Sequence, residues 1–270
     1  MTPETVYFLS DTHLGDGSAA DRFRYPQQLH DLLVRIESEA AQLVLLGDIL
    51  ELWAATMEAV MVRHAPLLKQ ISRIAATRPV TYVVGNHDCL PWYYYLGERL
   101  GNLTITERFQ TPRGNLLALH GHQFDPFNRV TVAEDGQVRV PATEKLVRIA
   151  GLAERLGKEA VVRTVDRLGQ SVESAVQAID QILRRQSPEE RGYPAGESIY
   201  DDVARSLLRG NVQFVLMGHT HHPLVHTYGT RTYINTGSWV SERYPPTYAR
   251  YRAGRLELLE AHTHQPYVPA

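Results

Sequence analysis

Val80-Thr81-Tyr82-Val83-Val84-Gly85-Asn86-His87-Asp88 is the stretch that decides how this chain is read. A β-branched, aromatic-bearing run predicts a buried strand. A glycine interrupts it, and three polar residues able to bind a metal or move a proton follow at once. The arrangement recurs. Tyr7-Phe8-Leu9-Ser10 runs into Asp11-Thr12-His13, and Leu43-Val44-Leu45-Leu46 into Gly47-Asp48. Leu116-Leu117-Ala118-Leu119 runs into His120-Gly121-His122, and Phe214-Val215-Leu216-Met217 into Gly218-His219-Thr220-His221. In open α/β sheets the ligand crevice lies outside the carboxyl ends of the strands. Strand tips sharing that edge converge on one point, and that point is the predicted site.

Outward from this stretch, the upstream chain alternates strand and helix. Strand 5–10 precedes a helix opened by Pro26, with Leu29, Leu32, Leu33, Ile36 and Ala40 at helical spacing. Strand 43–46 precedes a long helical segment, Trp53 to about Ala76, whose buried side is Met57, Val60, Leu67, Leu68, Ile71 and Ile74. Pro66 kinks or splits it. This alternation predicts a βαβ core. Downstream, 103–107 and 115–119 read as strands around the turn Thr111-Pro112-Arg113-Gly114. Residues 143–157 and 159–185 carry amphipathic helical stripes, followed by a polar connector at 188–197 and a helix at 198–209. Strands at 212–217 and 231–235 and a hairpin of 247–252 and 255–261, turning at Ala253-Gly254, complete the chain. The expectation is one domain over 1–270, with 123–210 as a helical insertion that either packs on the sheet or caps a substrate.

The 270 residues suffice for a large core. A net charge of −2 and a pI of 6.6 give no reason to expect a polyanion, so nucleic acid is not the expected partner. The single cysteine, Cys89, excludes an intramolecular disulfide and reads as a buried filler rather than a nucleophile. The opening residues lack the basic and apolar regions of a signal peptide. No run approaches the roughly 18 apolar residues that span a bilayer. The expected location is cytoplasmic, with peripheral contact at the inner membrane face left open.

Asp11, His13, Asp48, Asn86, His120, His219 and His221 make seven potential ligands of mixed nitrogen and oxygen type. Such a set suits Mn, Fe, Zn or Co better than soft copper, and Mn is the expected ion. Seven is too many for one open catalytic metal, which keeps about three protein ligands. It suits two divalent ions sharing one carboxylate, and Asp48, alone on its tip, is the natural bridge. Two such ions generate a hydroxide at neutral pH and clamp the oxygens of an in-line displacement, which is phosphoryl chemistry. His87 lies beside Asn86 and off the metals, where it can protonate a leaving oxygen. Asp88 is expected to fix its tautomer.

The ordered series Asp11-x-His13, Gly47-Asp48, Gly85-Asn86-His87-Asp88, His120-Gly121 and Gly218-His219-x-His221 resembles the motif set of calcineurin-like metallophosphoesterases over about residues 5–240. The resemblance implies an α/β fold, a four-layer αββα sandwich with two facing mixed β-sheets. It implies one metal on Asp11, His13, Asp48 and His221 and a second on Asp48, Asn86, His120 and His219, with His87 as catalytic histidine held by Asp88. Gly47-Asp48-Ile49-Leu50-Glu51, the aromatic Pro91-Trp92-Tyr93-Tyr94-Tyr95, the helical insertion and Asn235-Thr236-Gly237-Ser238-Trp239 further resemble bacterial UDP-2,3-diacylglucosamine hydrolases. Those enzymes split a pyrophosphate in lipid A synthesis and hold acyl chains in their insertion. They usually carry arginine where His87 stands, and HGD where this chain has His120-Gly121-His122. Glu51, His122, Asp125, Asn128 and Arg129 are read as groups that support the ligands or bind substrate.

The expected activity is thus hydrolysis of a phosphoester or pyrophosphate in a phosphorylated small molecule or lipid-linked substrate. A phosphodiesterase or nuclease using the same metals is the rival within enzymes. A metal-free protein-binding scaffold is the rival from another class. Scaffolds of this kind shed ligands, whereas this chain keeps all seven and His87.

Overall fold

Period-two alternation on the central strands sets the layering. In the computed structural model, which describes residues 5–19, 21–88, 92–125, 131–132, 138–139 and 199–269, the first half runs β1 (Thr5–Leu9), α1 (Pro26–Ser38), β2 (Gln42–Leu46), α2 (Met57–Arg63), α3 (Ala65–Thr77), β3 (Val80–Val83), β4 (Arg99–Leu100) and β5 (Leu103–Thr106). The second half runs β6 (Arg108–Gln110), β7 (Leu116–Leu119), the short pair β8 (Thr131–Val132) and β9 (Val138–Arg139), α4 (Ile199–Leu207), β10 (Phe214–Met217), β11 (Leu224–Tyr228), β12 (Arg231–Asn235), β13 (Thr247–Arg252) and β14 (Arg255–Glu260).

A seven-stranded sheet has the order β14-β13-β1-β2-β3-β5-β4, and a five-stranded sheet β11-β12-β10-β7-β6. Both are mixed. β1, β2, β3 and β5 are mutually parallel, as are β7, β10 and β12, and antiparallel strands close the edges. One face of each strand supplies the inner core: Val6, Phe8, Val44, Leu46 and Val83 meet Phe109, Leu116, Ala118, Leu216 and Ile234. The opposite face of the first sheet, through Tyr7, Leu9, Leu43, Leu45 and Val80, takes Leu29, Leu33 and Ile36 of α1 and Leu67 and Ile74 of α3. The outer face of the second, through Leu119, Val215, Met217 and Tyr233, takes Tyr200 and Ala204 of α4. The result is the four-layer αββα sandwich. Each fully buried aliphatic or Phe side chain contributes about 1.5–3 kcal/mol, so both sheets are needed to hide these faces.

Several details differ from the sequence reading. The segment after Trp53 is split as expected near Pro66, but it starts only at Met57 and breaks at His64, with Thr56 capping the first helix by accepting from Ala59 N. Pro66 sits in the first turn of α3, where its missing N–H costs nothing. The turn at 111–114 joins β6 to β7, whereas the strand near 103 belongs to the other sheet, parallel to β3. Strand β11, with alternating half-buried and exposed residues at the sheet edge, was not anticipated. The helical stripes at 143–157 and 159–185, the connector 188–197, Cys89, Asn128 and Arg129 lie outside the described residues. Among the described residues no helix is long and apolar enough to cross a membrane.

Candidate metal centre

The parallel register brings the strand tips level. Leu9 pairs with Leu45 and Leu46 with Val83, while Ala118 pairs with Leu216 and Met217 with Asn235. The backbone ladder continues past the strands: Asp11 N donates to Gly47 O (3.0 Å), His13 N to Asp48 O (3.0 Å), and Gly218 N to His120 O (2.9 Å). At these tips Asp11, His13, Asp48, His219 and His221 adopt φ of 50°, 45°, 52°, 69° and 59°. Non-glycine residues rarely enter this left-handed region, and they concentrate at functional sites. Two glycines make the approach possible. A Cβ on Gly85 would lie 2.2 Å from Asp48 Oδ1, and one on Gly218 would lie 2.3 Å from Asp11 Oδ2.

The ligand atoms of Asp11, His13 and His221 lie within 4.8 Å of one another, as do those of Asp48, His120 and His219. Between the groups, Asp48 Oδ2 is 3.8 Å from His13 Nε2 and 3.2 Å from His120 Nε2. On the first side, His221 Nε2 is 3.4 Å from Asp11 Oδ1 and 3.0 Å from His13 Nε2. Asp11 also accepts from Ser10 Oγ and from His219 N (3.1 Å). On the second side, His120 Nδ1 donates to Leu46 O (2.9 Å), leaving Nε2 to face the site. His219 Nε2 meets Asp125 Oδ2 at 3.1 Å, the outer-shell contact that fixes a ligating imidazole. Asn86 is held by Trp53 Nε1, which donates to its carbonyl (2.9 Å). All seven expected ligands thus stand at the strand tips, four from the seven-stranded sheet and three from the five-stranded one.

His87 and Asp88 part ways. His87 N donates to Asp48 Oδ1 (2.8 Å), and its ring stacks on Trp53 with centroids 3.7 Å apart. Its Nδ1 lies 2.8 Å from Glu51 Oε2, the same oxygen that meets His13 Nδ1 at 2.9 Å. The ring and the carboxylate of Asp88 do not meet. Asp88 Oδ2 accepts from Tyr82 OH (2.6 Å) and Ile49 N (2.7 Å), and Oδ1 accepts from Gly85 N (2.9 Å). The expectation that Asp88 orients His87 therefore gives way to Glu51. Asp88 instead braces the loop that carries Asn86 and His87 against the β2 tip.

Charge at the site is unbalanced. Burial alone would drive the His120 imidazolium pKa down, but the carboxylates of Asp48 and Asp11 outweigh it and lift it to about 10. Glu51 and Asp48 likewise outweigh burial at His87 and lift it to about 9. Burial opposes the Glu51 carboxylate, yet the His87 and His13 rings hold it below its usual range. Burial, then the neighbouring His120 and His219, press His122 well below the usual imidazole value. These carboxylates draw positive charge from imidazolium protons, which divalent cations would replace. Two buried atoms sharpen the fit: Asn86 Oδ1 has no hydrogen-bond partner, and His120 Nε2 meets only the Asp48 carboxylate at the site. Leaving such a group unpaired costs about 1–3 kcal/mol, whereas both are ordinary metal donors. The set fits two divalent ions.

Sequence reasoning missed Trp53, which has no signal before its ring is seen on His87. It also left the 235–239 motif without a physical role. Asn235 Nδ2 donates to Gly218 O (2.7 Å), Gly237 N to Asn235 Oδ1 (3.0 Å), and Trp239 N to Asp11 O (3.0 Å). The motif staples the β1 tip to the β10 tip, and so one half of the site to the other. A polar run after a strand with Asn and Gly was the available signal.

A model of the calcineurin-like phosphoesterases matches residues 4–223. No curated protein matches. Among solved structures, a dimetal phosphatase from Danio rerio is 14% identical with 96% of each chain covered and a TM-score of 0.49. Yfce, a phosphoesterase from E. coli, is 15% identical, covering 98% of this chain and 97% of its own at a TM-score of 0.46. An archaeal phosphodiesterase is 11% identical, covering 95% and 99%, at a TM-score of 0.42.

Proposed function

The chain belongs to the calcineurin-like phosphoesterase family, and from that premise we propose that it hydrolyses a phosphoester or pyrophosphate bond with two divalent ions. Asp11, His13, Asp48 and His221 would hold the first, and Asp48, Asn86, His120 and His219 the second. When bound, such a pair activates water and neutralises charge on the phosphoryl oxygens. The observation that carries the reading is the convergence at the Asp48 tip of Asn86 Oδ1, buried with no hydrogen-bond partner, and His120 Nε2, buried 3.2 Å from the Asp48 carboxylate.

The remaining chemistry belongs to the chain. Glu51 holds His87 by Nδ1, which leaves Nε2 as the nitrogen able to hand a proton to the leaving oxygen. Trp53 fixes the plane of the ring by stacking. Glu51 also fixes His13 so that its Nε2 faces the site. One carboxylate thus orients a ligand and the acid together, the orienting logic of a catalytic triad in another setting.

Manganese is the ion we expect to support turnover, and Fe, Zn and Co suit the same donors. The test combines elemental analysis after purification with Mn supplied and a substrate panel. The panel holds p-nitrophenyl phosphate, its bis-ester, and nucleotide-sugar pyrophosphates including UDP-2,3-diacylglucosamine, the substrate the motif resemblance points to. About two ions per chain with turnover of at least one class is the expected result. Near-zero or one ion per chain would overturn the reading.

A further inference from the structure

We infer that His122 is an additional ligand of the second divalent ion, making that half of the site nitrogen-rich and selective for a borderline ion such as Zn or Co over Mn. The inference rests on the two-metal reading and goes beyond its ligand set. His122 is 1% exposed and neither ring nitrogen has a hydrogen-bond partner. An imidazole always carries at least one N–H, and both its nitrogens are strong polar groups, so a buried ring with neither paired lacks a ligand. The same signature marks Asn86 Oδ1, a donor already assigned to this ion.

Ring geometry places His122 beside this ion's ligands. The His120 and His219 centroids are 5.3 Å apart, those of His120 and His122 5.4 Å, and those of His122 and His219 6.5 Å. With metal–nitrogen bonds of about 2.0–2.1 Å, neighbouring imidazoles on one ion have centroids roughly 4.5–5.5 Å apart, a range that both His120 pairs meet and the His122–His219 pair exceeds. The pair His120-Gly121-His122 repeats the spacing of Asp11-x-His13 and His219-x-His221, each of which presents both members. Gly121, at φ 114°, turns the backbone between the two rings. The ligand atoms of Asp48, His120 and His219 approach within 4.8 Å without His122. Drawing it in brings the ring closer to His219 and breaks no hydrogen bond of the ring, because the ring makes none. A third imidazole shifts the donor balance from oxygen toward nitrogen, which favours borderline over hard ions.

The test is equilibrium dialysis of wild type and H122A against Co, and against equimolar Mn and Zn, read by elemental analysis and by the Co absorption bands. Wild type is expected to bind two ions and to take Zn at one position in competition. H122A is expected to keep one ion, bind the other roughly tenfold or more weakly, and lose the Zn preference, with altered Co bands. H122Q, which keeps the bulk of the side chain, guards against misfolding of H122A. In wild type, the ¹⁵N signal of a His122 ring nitrogen is expected to move on Zn binding together with those of His120 and His219. Two ions bound by H122A or H122Q with wild-type affinity and Co bands would overturn the inference while leaving the two-metal reading intact. A His122 nitrogen that stays put on Zn binding would do the same. Wild type binding fewer than two ions would overturn both.

Discussion

The two halves of the site contain similar residues in opposite states of satisfaction. On the Asp11 side the polar atoms already meet one another: His13 Nε2 lies 3.0 Å from His221 Nε2, His221 3.4 Å from Asp11, and Glu51 grips both His13 and His87. On the His120 side the groups are held from behind, His120 by Leu46 O, His219 by Asp125 and Asn86 by Trp53, while Asn86 Oδ1 and both nitrogens of the His122 ring are buried without a hydrogen bond and His120 Nε2 meets only Asp48. An ion entering the second half replaces the His120 imidazolium proton and parts no pair of ligand rings. One entering the first must part His13 from His221, so its affinity depends on how firmly Glu51 aims the His13 ring. The asymmetry teaches that the halves should fail differently.

The largest effect should come from the residue the halves share. Asp48→Asn removes a charge that neutralises both ions, and hydrolysis of p-nitrophenyl phosphate should fall about 10⁴-fold, the loss of several kcal/mol of metal-based stabilisation. Elemental analysis should show both ions weakened. Loss of only one would mean that Asp48 does not bridge, and that the halves are independent sites.

His87→Ala comes next. The variant should keep its ions and lose roughly 10²–10⁴-fold in rate on substrates with poor leaving groups. The loss should shrink for p-nitrophenol, which needs little protonation. His13, Asp48 and His87 also have atoms within 4.8 Å of one another, so metal loss in this variant would reassign His87 as a ligand of the first half.

Glu51→Gln should act on the first half alone. The amide keeps the shape but loses the charge that aligns two rings, and the first ion should bind about 10–100-fold more weakly, as outer-shell changes usually do. The second ion should be unaffected. Equal weakening of both would erase the distinction between the halves.

The strand tips were legible because three signals coincide at each: an apolar run, a glycine and a ligand-type residue. The joint pattern predicted the converging strand tips and all seven residues gathered there, and the resemblance it carries implied the sandwich. What stayed hidden depends on which strands become neighbours. Glu51 and Trp53 follow β2, while His87 follows β3, and only the β2–β3 pairing brings them together. The assignment of Asp88 to His87 rested on sequence adjacency. Successive residues at a strand end point to different sides, so the neighbour in sequence was the wrong partner. Strand β6 was missed because three residues with one buried side chain, Phe109, carry no period to detect.

Tyr82→Phe makes the smallest change and tests the separation of Asp88 from His87 most directly. Burial, together with the charges of Asp88 and Asp48, holds the Tyr82 phenol well above its usual pKa. It is therefore a hydrogen-bond donor at every working pH, at 2.6 Å from Asp88 Oδ2. Removing the hydroxyl deletes one of the bonds that brace the Asn86–His87 loop but leaves those from Ile49 N and Gly85 N. A hydrogen bond to a charged group contributes about 1.5–3 kcal/mol, so the variant should unfold more readily, with a melting temperature lower by roughly 3–10 °C. Because Glu51, not Asp88, holds the His87 ring, the dependence of rate on leaving group should match wild type. If that dependence instead steepened toward poor leaving groups, as expected for His87→Ala, Asp88 would act through His87 and the role given to Glu51 would be wrong. The variant separates two functions of one loop: Asp88 keeps it in place, and Glu51 aims what it carries.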